Sequence, residues 1–119
     1  MGTTAEPSVT SLPADPGGVA AAARLARVLG DAVRLRLVEF LLDEEHTVSD
    51  CVAHIGLSQG RVSVHLACLV DCGYVRVRRV GRFAYHRVSS PRVAELVALA
   101  RALAADHTGT LAACAHTER

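Results

Sequence analysis

Apolar residues recur at helical spacing from Val19 onward. In VAAAARLARVLG, the positions Val19, Ala22, Ala23, Leu25, Ala26 and Leu29 fall on one stripe, and Gly30 ends it. Asp31 is placed to cap a second helix, AVRLRLVEFLLDEE, with Leu35, Val38, Leu41 and Leu42 as its buried face. A shorter helix, VSDCVAHI, stops at Gly56. Ser58 then caps QGRVSVHLACLVDC, which Gly73 closes. Two helices joined by a tight glycine-containing turn make a helix-turn-helix.

After Gly73 the period changes from helical to alternating. YVRVRRV puts Tyr74, Arg76 and Arg78 on one side and Val75 and Val77 on the other, and RFAYHRVS follows across Gly81 and Arg82. This pattern predicts a β-hairpin with an arginine-rich tip. Pro91 suits the first turn of a last helix, RVAELVALARALAA, whose apolar side is Val93, Leu96, Val97, Ala100 and Leu103. The expected fold is mainly α with a β-hairpin wing, a winged helix-turn-helix over residues 19–106. A Pro/Gly/Ser/Thr-rich arm (1–18) precedes it and a tail (107–119) follows.

Composition narrows this picture. The 119 residues suit one domain with a modest core. Aromatics are only 3 % and Trp is absent, so Leu, Val and Ala must fill that core. No apolar run reaches membrane-spanning length, and the first residues lack the basic start and apolar stretch of a secretory signal. A cytoplasmic location is the default expectation. In a reducing compartment the four cysteines are expected to be thiols or metal ligands rather than a disulfide framework.

Charge adds a local signal to a globally neutral chain. The net charge is +1, yet residues 58–87 hold Arg61, Arg76, Arg78, Arg79, Arg82 and Arg87 against the one acid Asp71. A solvated arginine face is the bland explanation. A helix presenting Ser58, Gln59, Arg61, Ser63 and His65 early in its length can instead enter a major groove of DNA, with the hairpin arginines along the flanking backbone or minor groove. No nucleophile–base set or phosphate-binding glycine loop suggests an enzyme.

Cys68 and Cys72 stand four apart on the same predicted helix. Residues so spaced share a face about 5–6 Å apart at Cβ, close enough to converge on one soft metal ion. A disulfide suits helical geometry poorly, and two small buried hydrophobes are the alternative reading.

The segments LGDAVRLRLVEFLL, GLSQGRVSVHLACLVDCGYV and GRFAYHRVS resemble the ArsR/SmtB family of winged-helix repressors, from about Val19 to the end of the last helix. The resemblance implies a homodimer packed through its first and last helices. It implies binding to double-stranded operator DNA and release by a metal ion or other inducer. DNA contacts would fall at Ser58, Gln59, Arg61, Ser63 and His65, and at Arg82 in the wing.

Cys-x-x-x-Cys just before GYV resembles the CmtR-type cadmium/lead sensors of that family. There a third thiolate comes from the C-terminal region of the partner protomer, which makes Cys114 the candidate here. Three sulfurs would favour cadmium or lead, with mercury also suited; no organic cofactor is implied. His116, two residues from Cys114, is a secondary candidate ligand. Cys51 falls where relatives carry a buried Leu and is read as core, with ligation its lesser role. The Cys-Val-Cys signature of other family sites is absent. Asp106 and His107 come too late for the family's last-helix zinc and nickel sites, His54 and His86 are read as structural or DNA-proximal, and His46 has no assigned role. The alternatives are a thiol redox or electrophile sensor on the same fold, an arsenite sensor, and a winged-helix module that docks protein instead of DNA.

Overall fold

Four helix starts are set by a side chain that satisfies otherwise unpaired backbone N–H groups. The Asp31 carboxylate accepts from the backbone of Val33 and Arg34 at 2.9 and 3.1 Å. Thr47 and Asp50 form a reciprocal capping box. Ser58 accepts from Arg61 N, and Ser90 accepts from Arg92 N ahead of Pro91. In the computed structural model, which describes residues 16–114, these caps open four of six helices. The helices are α1 (Val19–Leu29), α2 (Ala32–Phe40), α3 (Val48–Ile55), α4 (Gln59–Asp71), α5 (Pro91–Asp106) and α6 (Thr108–Ala113). Gly56 closes α3 with φ 84°, the left-handed conformation that the absence of a Cβ permits.

Strands β1 (His46–Thr47), β2 (Val75–Val80) and β3 (Phe83–Val88) form an antiparallel sheet in the order β1-β3-β2. Val75 faces Val88, Arg76 faces Arg87 and Arg78 faces Tyr85. The wing is therefore a hairpin turning at Gly81 and Arg82, as the alternation predicted.

The core sits beneath α4. Val62, Leu66 and Leu69 are buried, and they join Leu37, Val38 and Leu41 of α2, Cys51 and Ile55 of α3, Tyr74 and Val75. Val93 and Val97 bring in the first half of α5, and Val28 the end of α1. Burying each such aliphatic side chain contributes about 1.5–3 kcal/mol. Arg34 ties α2 to α1 by donating from Nε to Val28 O at 2.7 Å, and Arg101 of α5 makes a bidentate pair with Glu39 of α2. Among the described residues, no helix is long and apolar enough to cross a membrane.

Several expected details differ. The second helix ends at Phe40 rather than running through DEE. Asp43, Glu44 and Glu45 would sit at the negative end of its dipole, which disfavours continuation. The chain instead turns into β1, whose two residues are too few to show a period. Leu37 is fully buried, whereas Leu35 and Leu42 of the expected buried face are only partly covered. Tyr74 does not stand beside Arg76 and Arg78 on a strand face. It precedes β2, lies in the core, and donates its hydroxyl to Leu25 O of α1 at 2.8 Å. In α1 the buried residue is Val28, while Val19 and Leu25 of the expected stripe are exposed. The expected tail contains α6, and the arm's last residues form a short 3-10 turn, Pro16–Gly18. The remainder of the arm and the end of the tail lie outside the described residues.

His86 faces the core opposite His46 and Val77, and among the described residues its Nδ1 has no hydrogen-bond partner. Burial holds its pKa below 6.5, with Arg79 adding to the shift and a hydrogen bond at the Ala84 backbone opposing it.

Two outcomes follow for stability. Removing the Tyr74 hydroxyl in Tyr74→Phe should cost about 1 kcal/mol in chemical denaturation, the worth of one intramolecular hydrogen bond. For His86, the unfolded chain takes up a proton below pH 6.5 that the folded chain resists, so stability should fall as pH drops through this window. Native contacts hold the carboxyls of Asp31, Glu39 and Asp50 below 3.8, 4.5 and 3.8 respectively, so their contribution is lost only at lower pH. Unfolding of His86→Leu between pH 6.5 and 4.5 should therefore show a shallower pH slope than wild type. An equal slope would remove His86 as the cause.

Candidate nucleic-acid interface and thiol pair

The helical period of α4 divides it into three strips. Val62, Leu66 and Leu69 face the core. Gly60, Val64 and Ala67 face away from it and are exposed. Arg61, His65, Cys68 and Cys72, spaced i, i+4, i+7 and i+11, run along one flank.

The residues expected to meet DNA distribute over these strips. Ser58, Gln59 and Arg61 are exposed at the N-terminal end of α4, where unpaired N–H groups and the helix dipole favour an anion. Ser63 is half-buried. His65 is also half-buried and turns toward α2, with Nδ1 3.4 Å from Arg34 Nη1. Asp31 lies in the same group. Partial burial raises its carboxyl pKa, but the Arg34 backbone hydrogen bond, the Arg34 charge and His65 outweigh that and leave it lowered. His65 is thus anchored to the start of α2. Sequence reasoning missed Val64, an apolar residue 69 % exposed on the outward strip. The burial period of α4 was the signal that would have found it.

On the wing, Arg76, Arg79, Arg82 and Arg87 are exposed. Arg78 is paired with Glu45 and lies over the Tyr85 ring, 5.1 Å from its centroid. Arg82 lies 5.6 Å from the Phe83 ring centroid at the hairpin tip. Arg76 and Arg87 are exposed cross-strand partners on one face, an arrangement that like charge disfavours.

Cys68 and Cys72 occupy the C-terminal half of the flank. Cys68 is half-buried and Cys72 is exposed at the helix C-cap, one turn further along the same flank. The Cys72 thiol is held above its ordinary value of 9.0 by desolvation, then by Cys68 and Asp71, with Arg34 opposing. Cys51 is fully buried on α3, and desolvation pushes its thiol to about 11, which fits packing rather than reactivity.

Cys114 caps the end of α6 and is half-buried. Among the described residues of one chain, no three His, Cys, Asp or Glu side chains gather where they could hold a metal ion. Cys68 and Cys72 share one flank of α4, and among the described residues neither Cys51 nor Cys114 completes a three-donor group with them. His116 lies outside the described residues. His46 and His54 stack on the two sides of the Phe40 ring, at 3.9 and 4.0 Å between centroids, away from the thiols.

Residues 31–77 match the family model described as bacterial regulatory protein, arsR family. The chain is 55 % identical over 92 residues to a probable mercury resistance operon repressor of Streptomyces lividans, covering 77 % of this chain and 74 % of that one. It is 44 % identical over 62 residues to the transcriptional regulator CmtR of Mycobacterium tuberculosis, covering 52 % of each chain. A homodimeric winged helix-turn-helix DNA-binding domain from Mycobacterium bovis, described as a possible ArsR-family regulator, superposes with a TM-score of 0.73 at 28 % identity. That match covers 87 % of this chain and 93 % of that one. With capped helices, turn and wing in place, and a relative of this similarity spanning most of both chains, the protein belongs to the ArsR family of DNA-binding transcriptional regulators.

Proposed function

We propose that this regulator is a metal-released repressor. A homodimer holds operator DNA through α4 and the wing, and lets go when a thiophilic heavy-metal ion is held at Cys68 and Cys72. The observation that carries this reading is the placement of Cys68 and Cys72 one turn apart on the same flank of α4 as Arg61 and His65.

Exposed Leu25, Leu96, Leu99 and Leu103 on α1 and α5 support a homodimer through these helices, since apolar residues at helical spacing there lack cover among the described residues. The two α4 helices of such a dimer would enter successive major grooves, about 34–36 Å apart. Ser58, Gln59, Arg61, Ser63 and His65 would meet base edges and phosphates, and Arg82 the flanking groove.

The two sulfurs on α4 fit a soft ion, which supplies charge that draws thiolates together. Cys114, with His116 as an auxiliary, would supply the remaining donor. One chain does not gather three donors among its described residues, so the third sulfur is assigned to a second copy. The chain's own part is to hold both α4 thiols in register and couple them to DNA. Cys72 caps α4 and His65 bridges toward Arg34, so immobilising the flank restricts the helix that must seat in the groove. A near-complete switch requires about 5.5 kcal/mol of difference in ion affinity between the DNA-bound and released forms. A structural thiolate site supplies about 10–16 kcal/mol of apparent binding, enough to cover it. Mercury, cadmium and lead all suit the donor set. The name of the Streptomyces relative makes mercury the first to test. A redox switch asks for a depressed thiol, and the Cys72 and Cys51 thiols are both raised.

Titrating the reduced, metal-free protein with mercury(II) or cadmium(II) should produce ultraviolet thiolate-to-metal absorption. Cys68→Ser, Cys72→Ser and Cys114→Ser should each weaken the band, and Cys51→Ser should keep it. Protons compete for the raised Cys72 thiol, so apparent affinity should fall as pH is lowered. In a DNA-binding assay by fluorescence anisotropy, the ion should release wild type and leave a Cys68→Ser, Cys72→Ser variant bound. Release of that variant by the ion would sink the proposal.

A further inference from the structure

The outward strip of α4 is small and apolar where a solvated helix would be polar. Val64 is 69 % exposed, the most exposed large hydrophobic residue described. It lies opposite Val62, Leu66 and Leu69, so no rotation of α4 that keeps the core intact can bury it against the described residues.

Gly60 stands one turn before Val64 on the same strip. Glycine inside a helix is less stable than alanine. The fold does not require it here: its φ lies outside the left-handed range, and a Cβ added there meets nothing within 4 Å. Ala67 continues the strip with one methyl. The result is a smooth apolar ridge with Arg61 on one side and Gln59 and Ser63 on the other.

We infer that Val64 reads a thymine methyl in the major groove, with Gly60 permitting the close approach that brings it there. The inference rests on the DNA-binding reading of α4 and adds a specificity determinant to it. Each base pair presents its own pattern in the major groove, and the C5-methyl of thymine is its apolar element. The surroundings fit DNA in charge. Arg61 is adjacent, the helix N-terminus attracts phosphate, and Arg76, Arg79, Arg82 and Arg87 are exposed on the wing. An apolar strip framed by cations suits a groove whose walls are phosphate and whose floor carries methyl groups.

The test uses the full-length, reduced, metal-free protein. Duplexes that it binds are selected from a random-sequence library, and each thymine of the selected site is then replaced in turn by deoxyuridine, which lacks only the methyl. At one or more positions this should weaken wild-type binding about fourfold, the worth of one buried methyl group. Val64→Ala should bind the thymine and uracil forms of that position equally, with a kept or raised thermal midpoint because the side chain is exposed and alanine favours the helix. Gly60→Ala should keep or raise the thermal midpoint and lower DNA affinity. Wild-type binding that ignores every thymine methyl, or an undiminished thymine preference in Val64→Ala, would overturn the inference while leaving the DNA-binding reading standing. Failure to select any duplex would overturn both.

Discussion

Burial of Val62, Leu66 and Leu69 fixes the rotation of α4, and the functional surfaces depend on that rotation. A helix has one angular degree of freedom about its own axis. Once three aliphatic side chains at i, i+4 and i+7 are held against α2 and α3, every other side chain on α4 has a direction. Arg61, His65, Cys68 and Cys72 are sent to one flank, and Gly60, Val64 and Ala67 to the outside. A rotation sufficient to hide Val64 would expose two or three core residues at about 1.5–3 kcal/mol each, so the arrangement is firmly set.

The ends of α4 are fixed by different means. At the start, Ser58 caps the helix and His65 reaches Arg34, which also holds Val28 O of α1. At the finish, Cys72 caps the helix and Gly73 takes φ 86°, a conformation that lets the chain turn back toward the core. Tyr74 then passes under the fold to Leu25. The middle of α4, through His65 and Arg34, and the chain just after its end, through Tyr74, are thus joined to α1, one of the two helices that would form the dimer contact. A change at the Cys68–Cys72 flank has a short physical route to the spacing of the two α4 helices in a dimer.

Electrostatics in this chain is local. The net charge of +1 gives no long-range attraction to DNA. The arginines concentrate on the wing, while acids collect elsewhere, including the turn after α2, where Glu45 neutralises Arg78. Arg76 and Arg87, directly opposed across the hairpin, tolerate each other on an exposed surface where solvent and counter-ions screen them.

Periodicity and cap signals alone determined the helix-turn-helix, the wing, the caps at Asp31 and Ser58, Pro91 in the first turn of the last helix, and the one-flank spacing of Cys68 and Cys72. These are short-range consequences of backbone geometry, with partners within four residues or across one hairpin. The tertiary structure decided what periodicity cannot express. It ended α2 at Phe40, added β1 to the sheet, buried Leu37 in preference to Leu35, and turned Tyr74 inward, because each outcome depends on a neighbour remote in the chain. Among the described residues it left Cys114 outside any three-donor group within one chain, and it buried Cys51 as its reading as a core residue implied. It also left Val64, Leu99 and Leu103 exposed, since a hydrophobic residue in a sequence reads as core until the packed neighbours show which directions are already filled.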